Sequence, residues 1–149
     1  SDWDVSSVTD MSYIFANTGD CNLSLLDWDV SSVTNMSWMF ISTDFNDDIG
    51  DWDVSSVTDM SNMFHSAYNF NQDISDWDVS GVTDMNSMFM KTYAFNQDIS
   101  SWDISSVTDM GGMFWISEAL SDDNRCYIHT SFSSNENWEE YWWEEYCSD

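Results

Sequence analysis

A repeat solenoid, with one short parallel β-strand and one short helix in each coil, is the fold class this sequence predicts. Three observations carry it. Trp3, Trp28, Trp52, Trp77 and Trp102 each open the same phrase, at steps of 25, 24, 25 and 25 residues. A fixed period in that range is how folds made of stacked units show themselves in sequence. Within each phrase an alternating stretch is followed by one of helical period. Proline is absent from all 149 residues, which suits a regular coil better than a loop-rich fold.

The strand is expected at I-S-D-W-D-V-S, Ile74 to Ser80, where Trp77 and Val79 alternate with Asp76, Asp78 and Ser80. Period-two alternation buries one face and wets the other. The helix is expected at S-S-V-T-D-M-S-N-M-F, Ser55 to Phe64. Its apolar residues Val57, Met60, Met63 and Phe64 form a stripe at i, i+3, i+6 and i+7. Ser56 followed three residues later by Asp59 resembles a capping box, with the acid near the positive helix end. The link H-S-A-Y-N-F-N-Q-D returns the chain to the next strand. The rhythm of Ile74, Trp77, Val79 and Val82 follows the leucine-rich-repeat pattern, with Val where that motif has Asn or Cys. A pure parallel β-helix is the alternative; the helical period of the Met/Phe stripe argues against it.

Five such coils occupy residues 1–121. Cys21 takes the slot held by Phe45, Phe70 and Phe95 in later coils, and Leu120 fills it in the fifth. Coil two is one residue short between Phe40 and Phe45, which places the deletion in a loop, where it is tolerated. Residues 122–149 do not repeat and are expected to form a helical C-terminal cap. Trp138, Tyr141 and Trp142, at i, i+3 and i+4, make an aromatic stripe on a short acidic helix that would cover the last coil. A platform for stacking sugars is the alternative use of that stripe. The three cysteines lack the C-x2-C spacing of a zinc site. Cys126 and Cys147 bracket the tail, so a disulfide closing it is expected, and with it an oxidising, extracytoplasmic setting.

Composition narrows the partners. Twenty-eight acidic residues face only Lys91 and Arg125, for a formal net charge of −26. Phosphate binding needs a basic footprint that two residues cannot make, so nucleic acid is excluded. An anionic membrane surface would repel the chain, and no run of about 20 apolar residues exists to cross one. Metal cations, basic proteins and hydroxyl-rich molecules remain. The chain starts at Ser1, with neither an initiator Met nor a signal peptide, and reads as a processed chain or a fragment.

Stacking the repeats turns positions into columns. Nine of the ten methionines fall in two of them, Met11/Met36/Met60/Met85/Met110 and Met39/Met63/Met88/Met113, as core columns should. Asn22, Asn46, Asn71 and Asn96 form a loop ladder whose amides would satisfy neighbouring backbones. The threonines Thr9, Thr34, Thr58, Thr83 and Thr108 run single-file, which does not support a flat ice-binding array. Asp4, Asp29, Asp53, Asp78 and Asp103 lie between inward residues of the strand and would point outward, flanked by Asp2, Asp27, Asp51 and Asp76. Carboxylates on adjacent strands would stand about 4.8 Å apart, each pair costing about 1 kcal/mol in water and several times that at an effective dielectric of about 20. Bound Ca²⁺ would relieve that repulsion; a hydrated, salt-screened face is the plainer expectation. His65 and His129 stand outside any Ser/His/Asp or metal spacing. A regular ladder offers no carboxylate pair with split pKa values, so no enzyme activity and no resident cofactor are expected. The sequons at Asn22 and Asn35 are candidates for N-glycosylation, Asn35 being the more exposed position.

The string W-D-V-S-S-V-T-D-M-S-x-M-F, followed by F-N-Q-D-I-S, recurs from Trp3 to about Phe114. It resembles the bacterial surface-protein repeat of roughly 26 residues allied to the BspA-like leucine-rich repeats, also seen in secreted proteins of algae and other protists. The tail from Asp122 to Cys147 is similar to the endings of some algal members. The resemblance implies secretion or surface display and a part in contact or adhesion, with no enzyme activity and no defined functional residues.

Two expectations of function follow. The first is a non-enzymatic extracellular or cell-surface protein with a structural, adhesive or assembly role, as in a filament. The second is a binding module whose acidic face holds Ca²⁺ or a polyhydroxylated ligand such as a glycan. The first coil opens directly inside a strand, so self-association or upstream repeats are expected to cover Trp3, Val5, Val8, Met11 and Phe15.

Overall fold

The structure, a computed structural model, describes residues 3–19 and 24–147, apart from the side chains of Tyr141 and Trp142. Five coils of about one repeat each stack on one another, but not in the way the periodicity suggested. Among the described residues there is no strand, and the only α-helix, α1, spans Asp122–Phe132 in the tail, followed by a short 3-10 helix at Tyr141–Cys147. The leucine-rich-repeat-like solenoid with a strand and a helix per coil is therefore wrong, and so is the pure parallel β-helix. What remains of β-pairing is a row of isolated parallel bridges, Asp10 to Asn35 to Asp59 to Asp84 to Asp109.

Each coil is instead a chain of tight turns. Between Ile74 and Phe95 the backbone closes i→i+3 hydrogen bonds at Trp77–Ile74, Val82–Val79, Met88–Met85, Met90–Ser87, Thr92–Phe89 and Phe95–Thr92, at 2.9–3.3 Å. The ends of these turns point inward. Ile74 with Trp77, Val79 with Val82 and Met85 with Met88 are all buried. A turn joins residues three apart, and three is also the spacing of one helical turn. That coincidence produced the helical reading of the Met/Phe stripe.

Backbone handedness excludes a helix there. Asn62 and Ser66 have φ of 57°, and the same two positions are left-handed in every coil, from Tyr13 and Asn17 to Gly112 and Ile116. Left-handed residues cannot continue a right-handed helix; at the third position of a turn they make it type II. For side chains as large as those of Tyr13 and Trp38, φ near +60° carries a cost that surrounding bonds must offset.

Those bonds run between coils. The N–H groups of Met60, Asn62, Phe64 and Ser66 donate to the carbonyls of Asp84, Asn86, Met88 and Met90 at 2.8–3.0 Å, and coils one, two and four repeat the pattern. Alternate N–H groups thus point to the next coil, and the ones between close the coil's own turns. At the threonine corner the sense reverses, with Thr83 and Asp84 N–H donating to Thr58 O at 2.9 and 3.4 Å. The expected strand fails for a local reason. In D-I-S and D-V-S the Asp73 and Asp78 carboxylates accept from the backbone N–H of Ser75 and Ser80 at 3.0 and 3.1 Å. An aspartate that bonds two residues ahead bends the chain into a turn.

The core is built from columns of like side chains. Phe15, Phe40, Phe64, Phe89 and Phe114 stack with ring centroids 5.4–5.6 Å apart. Both methionine columns are buried except at Ile14, the half-exposed coil-one member of the second. Each interior tryptophan also donates its indole N–H to the coil behind, as Trp77 Nε1 does to Ile49 O at 3.1 Å.

The tail packs against coil five. Ser121 begins α1, its Oγ accepting from Asn124 N–H at 3.2 Å, with Asp122 and Asp123 in the positive first turn. Ile128 and Phe132 of α1 are buried, and the expected disulfide joins Cys126 to Cys147. The helix lies earlier than the acidic stretch expected to form it. Trp138 and Trp143 turn inward, 6.3 and 5.1 Å from Phe114. The side chains of Tyr141 and Trp142 lie outside the described residues.

Candidate functional site

The acid column singled out in the sequence lies on a row of turns, not on a sheet. Asp4, Asp29, Asp53, Asp78 and Asp103 are exposed. Each carboxylate accepts from the backbone N–H of the serine two residues on, at 3.0–3.1 Å. The hydroxyls of Ser6, Ser31, Ser55 and Ser80 add bonds of 2.6–2.7 Å. These serine bonds hold Asp4, Asp29, Asp78 and Asp103 below the usual carboxylate range. Charge on Asp4 pushes Asp29 the other way, and Asp103 does so to Asp78, more weakly than the bonds. Asp27, Asp51 and Asp76 are exposed beside this row; Asp2 lies outside the described residues.

A second acid column was passed over as a set of helix caps. Asp10, Asp59, Asp84 and Asp109, with Asn35 among them, occupy the row of parallel bridges. Burial pushes Asp84 above the usual range, with the charges of Asp59 and Asp109 adding to it and the Asn86 N–H opposing. Neutral Asn35 stands between Asp10 and Asp59 and spares that part of the row a like-charge contact. It is half-buried, and its Oδ1 accepts from Ser37 N–H at 2.9 Å and Ser37 Oγ at 2.8 Å. The other sequon residue, Asn22, lies outside the described residues, as does Cys21. Among the described residues no three His, Cys, Asp or Glu side chains are grouped to hold a metal ion.

The asparagine ladder makes the bonds its position implied. Asn46 Oδ1 accepts from Asn71 N–H at 2.8 Å, and Gln72 Nε2 donates to Asn46 O at 2.7 Å. Asn71 and Asn96 repeat this, and the tail continues it: Ser121 N–H and Asn124 Nδ2 donate to Asn96 Oδ1, both at 2.9 Å. A different side of the stack carries aromatic rings. Tyr13 stacks on Trp38 and Trp38 on His65 at 5.7 and 6.1 Å, and exposed Tyr68 stacks on Tyr93 at 5.5 Å. His129 is a packing residue, its Nδ1 accepting from Trp138 Nε1 at 3.1 Å.

The two ends of the stack differ most. At coil five the tail stands in for a sixth coil. Asn135 Nδ2 donates to Ile104 O and Val107 O at 2.8 and 2.9 Å, and Ser131 Oγ to Ser100 O at 2.7 Å. The Phe114 N–H, which in other coils meets a carbonyl, is taken by the Glu140 carboxylate. Glu140 is only 3% exposed, and burial beside Glu139 pushes its pKa up to about 7. The acid run W-E-E-Y-W-W-E-E-Y held no sign that one of its glutamates faces inward.

At coil one the opposite, carbonyl-bearing face of the repeat stands open. No described residue donates to the carbonyls of Asp10, Ser12, Ile14 or Ala16, the row that accepts from the coil behind in every later repeat. Trp28 is 7% exposed, yet its Nε1 has no partner among the described residues, unlike those of Trp52, Trp77 and Trp102. Trp3, which stacks on Trp28, is 65% exposed.

No curated protein and no solved structure matches the chain. One family model matches residues 1–64 and again 42–140, so that its two matches span all five coils and most of the tail. By that match the chain belongs to the family described as "Mycoplasma protein of unknown function, DUF285", a family of BspA-like repeats.

Proposed function

We propose that this chain is a non-enzymatic repeat unit of an extracellular or cell-surface protein, acting in structure, adhesion or assembly. The observation that carries it is the regular stack itself: the N–H groups of each coil meet the carbonyls of the next, and the acid and asparagine columns are engaged as turn caps and ladder bonds. Coils held this way make an extended scaffold whose side faces are free for contact. The Cys126–Cys147 disulfide supports an oxidising compartment, and the repeat's resemblance to bacterial surface-protein repeats supports display. The exposed rings of Tyr13, Tyr68, Tyr93 and Trp115 supply contact area of the kind interfaces use. The calcium or glycan reading of the acid face gains no specific observation, since the carboxylates already serve as turn caps.

Fractionation of producing cells, followed by non-reducing electrophoresis, tests the proposal. The chain should appear outside the cell or on its surface with Cys126 and Cys147 joined. A reduced chain confined to the cell interior would overturn it.

A further inference from the structure

Coil five departs from the repeat at one ring. Where the earlier coils carry Ala16, Ile41, His65 and Met90, it carries Trp115, and that side chain is 56% exposed. Trp115 and Phe114 form one wall of a cavity of about 190 Å³ between coil five and the tail; Arg125, Glu140, Trp143 and Tyr146 line the other. Trp143 is buried 5.1 Å from Phe114. Tyr146 already holds a cation, the Arg125 guanidinium 4.8 Å above its ring. Glu140 is the odd member. It accepts the Phe114 N–H from a buried position, but a glutamine amide would accept that N–H without a charge. Capping therefore does not account for the carboxylate. Among the described residues the charge that acts on it is that of Glu139, of the same sign. Arg125 is engaged elsewhere, its guanidinium 3.6 Å from the Asp122 carboxylate and donating to Glu118 O at 3.4 Å. A buried carboxylate with no cation beside it is costly. A costly charge in a cavity is the mark of a site kept for a ligand rather than for stability.

We propose that this cavity binds a small organic ammonium ion, a methylated amine, with its charge beside Glu140 and its methyl groups against the rings of Trp115 and Trp143. The inference goes beyond the reading of the chain as a surface unit and does not depend on it. The negative face of an aromatic ring attracts a cation by about 2 kcal/mol where water is excluded, and methyl groups add apolar contact that a bare ammonium lacks. Because Arg125 already covers Tyr146, the ligand falls to the other rings. Competing ligands fit less well. A metal ion takes several oxygen ligands at once, and no three His, Cys, Asp or Glu side chains are grouped among the described residues. An anion would meet Glu140, the exposed Glu118 on the rim and a net charge of −26. A neutral molecule would leave the Glu140 charge unanswered. The volume admits a single head group and no sugar chain.

Choline is the probe, set against its neutral carbon analogue, in which a tert-butyl group replaces the trimethylammonium. NMR titration of the full chain at pH 8, where Glu140 is charged, reads the indole N–H signals of Trp115 and Trp143. Choline should shift both to saturation, and the analogue should bind about tenfold more weakly or worse. Glu140→Gln, which keeps the bond to Phe114, should lose about tenfold or more in choline affinity. Trp115→Ala, at an exposed position that leaves folding intact, should lose about two- to fivefold. No saturable shift beyond that caused by equal sodium chloride overturns the inference. So does equal affinity for the neutral analogue, or full choline affinity in Glu140→Gln. Where choline binds, co-sedimentation with phosphatidylcholine vesicles separates two sources of the same chemistry. Retention assigns a lipid headgroup and its absence a free ammonium ion, and both uphold the site. A chain that binds choline yet stays reduced inside the cell would overturn the surface reading and leave this one standing.

Discussion

Coil five and coil one lie at opposite ends of the described stack, and the groups on their outer faces differ. Across coil five the tail sets unlike chemistry in like positions: a carboxylate for a carbonyl at the Phe114 N–H, the Asn124 amide for the glutamine amide of earlier coils, tryptophan rings for phenylalanine. Coil one has no such substitute among the described residues. An interface that repeats can therefore be covered in part by groups unrelated in sequence; the N–H groups of Met110, Gly112 and Ile116 meet no acceptor among the described residues. Closing with a carboxylate brings a charge under cover, which a backbone carbonyl would not.

The sharpest break of the comparison is by truncation. Trp77→Ala should cost about 3–5 kcal/mol, as removal of a large buried side chain does, while Trp3→Ala at the 65% exposed edge should stay within about 1 kcal/mol. Chemical denaturation of both variants checks this, and equal losses would mean that coil one is as well packed as coil four.

Glu140 gives the next largest effect and a sign. Its folded pKa of about 7 lies above its ordinary value of 4.5, so its contribution is fully present below pH 4.5 and is lost as pH rises through 7. The charged form then costs on the order of 2–3 kcal/mol. Glu140→Gln should melt higher than the parent at pH 8 and no higher at pH 4. The serine-bonded Asp4, Asp10, Asp29, Asp73, Asp78 and Asp103 act in the opposite sense. Their folded pKa values are lowered, so the stability they confer is present above the ordinary carboxylate value and is lost as pH falls below it. Melting curves across pH should therefore show a maximum in mild acid for the parent chain, extending to higher pH in the Gln variant.

Indole hydrogen bonds separate interior from edge at smaller scale. Trp77→Phe removes the indole bond to Ile49 O, which keeps the Trp52 N–H, and should cost about 0.5–1.5 kcal/mol beyond the lost volume. Trp28→Phe removes a donor that has no described partner and should cost little beyond the same lost volume. Thermal melting of the pair decides it; equal losses would show that Trp28 is satisfied.

The smallest contrast lies between the two acid columns. Asp53→Asn keeps an acceptor for Ser55 and should be neutral within about 0.5 kcal/mol. Asp84→Asn relieves a half-buried charge beside Asp59 and Asp109, and should stabilise by a few tenths of a kcal/mol at neutral pH and low salt. If Asp53→Asn proves the more stabilising, repulsion is concentrated on the exposed column after all.

Much of this molecule was legible in its residues. The tryptophan steps located the coils, the Val, Met and Phe columns named the core, and the asparagine ladder and the Cys126–Cys147 pair were both readable from spacing. Those features depend on which residues are alike and how far apart they stand, which a sequence states outright. Strand and helix were misread because period two and period three describe where side chains fall, not how the backbone gets there. Trp77 and Val79 face inward from successive turns as they would from a strand, and Met60 and Met63 close a turn as they would a helical step. Only the tertiary structure decided between them. The left-handed φ of Asn62 and Ser66 is held by N–H bonds to a coil roughly 25 residues away, and no local propensity encodes it. The inward turn of Glu140 and the unanswered indole of Trp28 were likewise invisible, because each is defined by what the neighbouring coil does or does not offer.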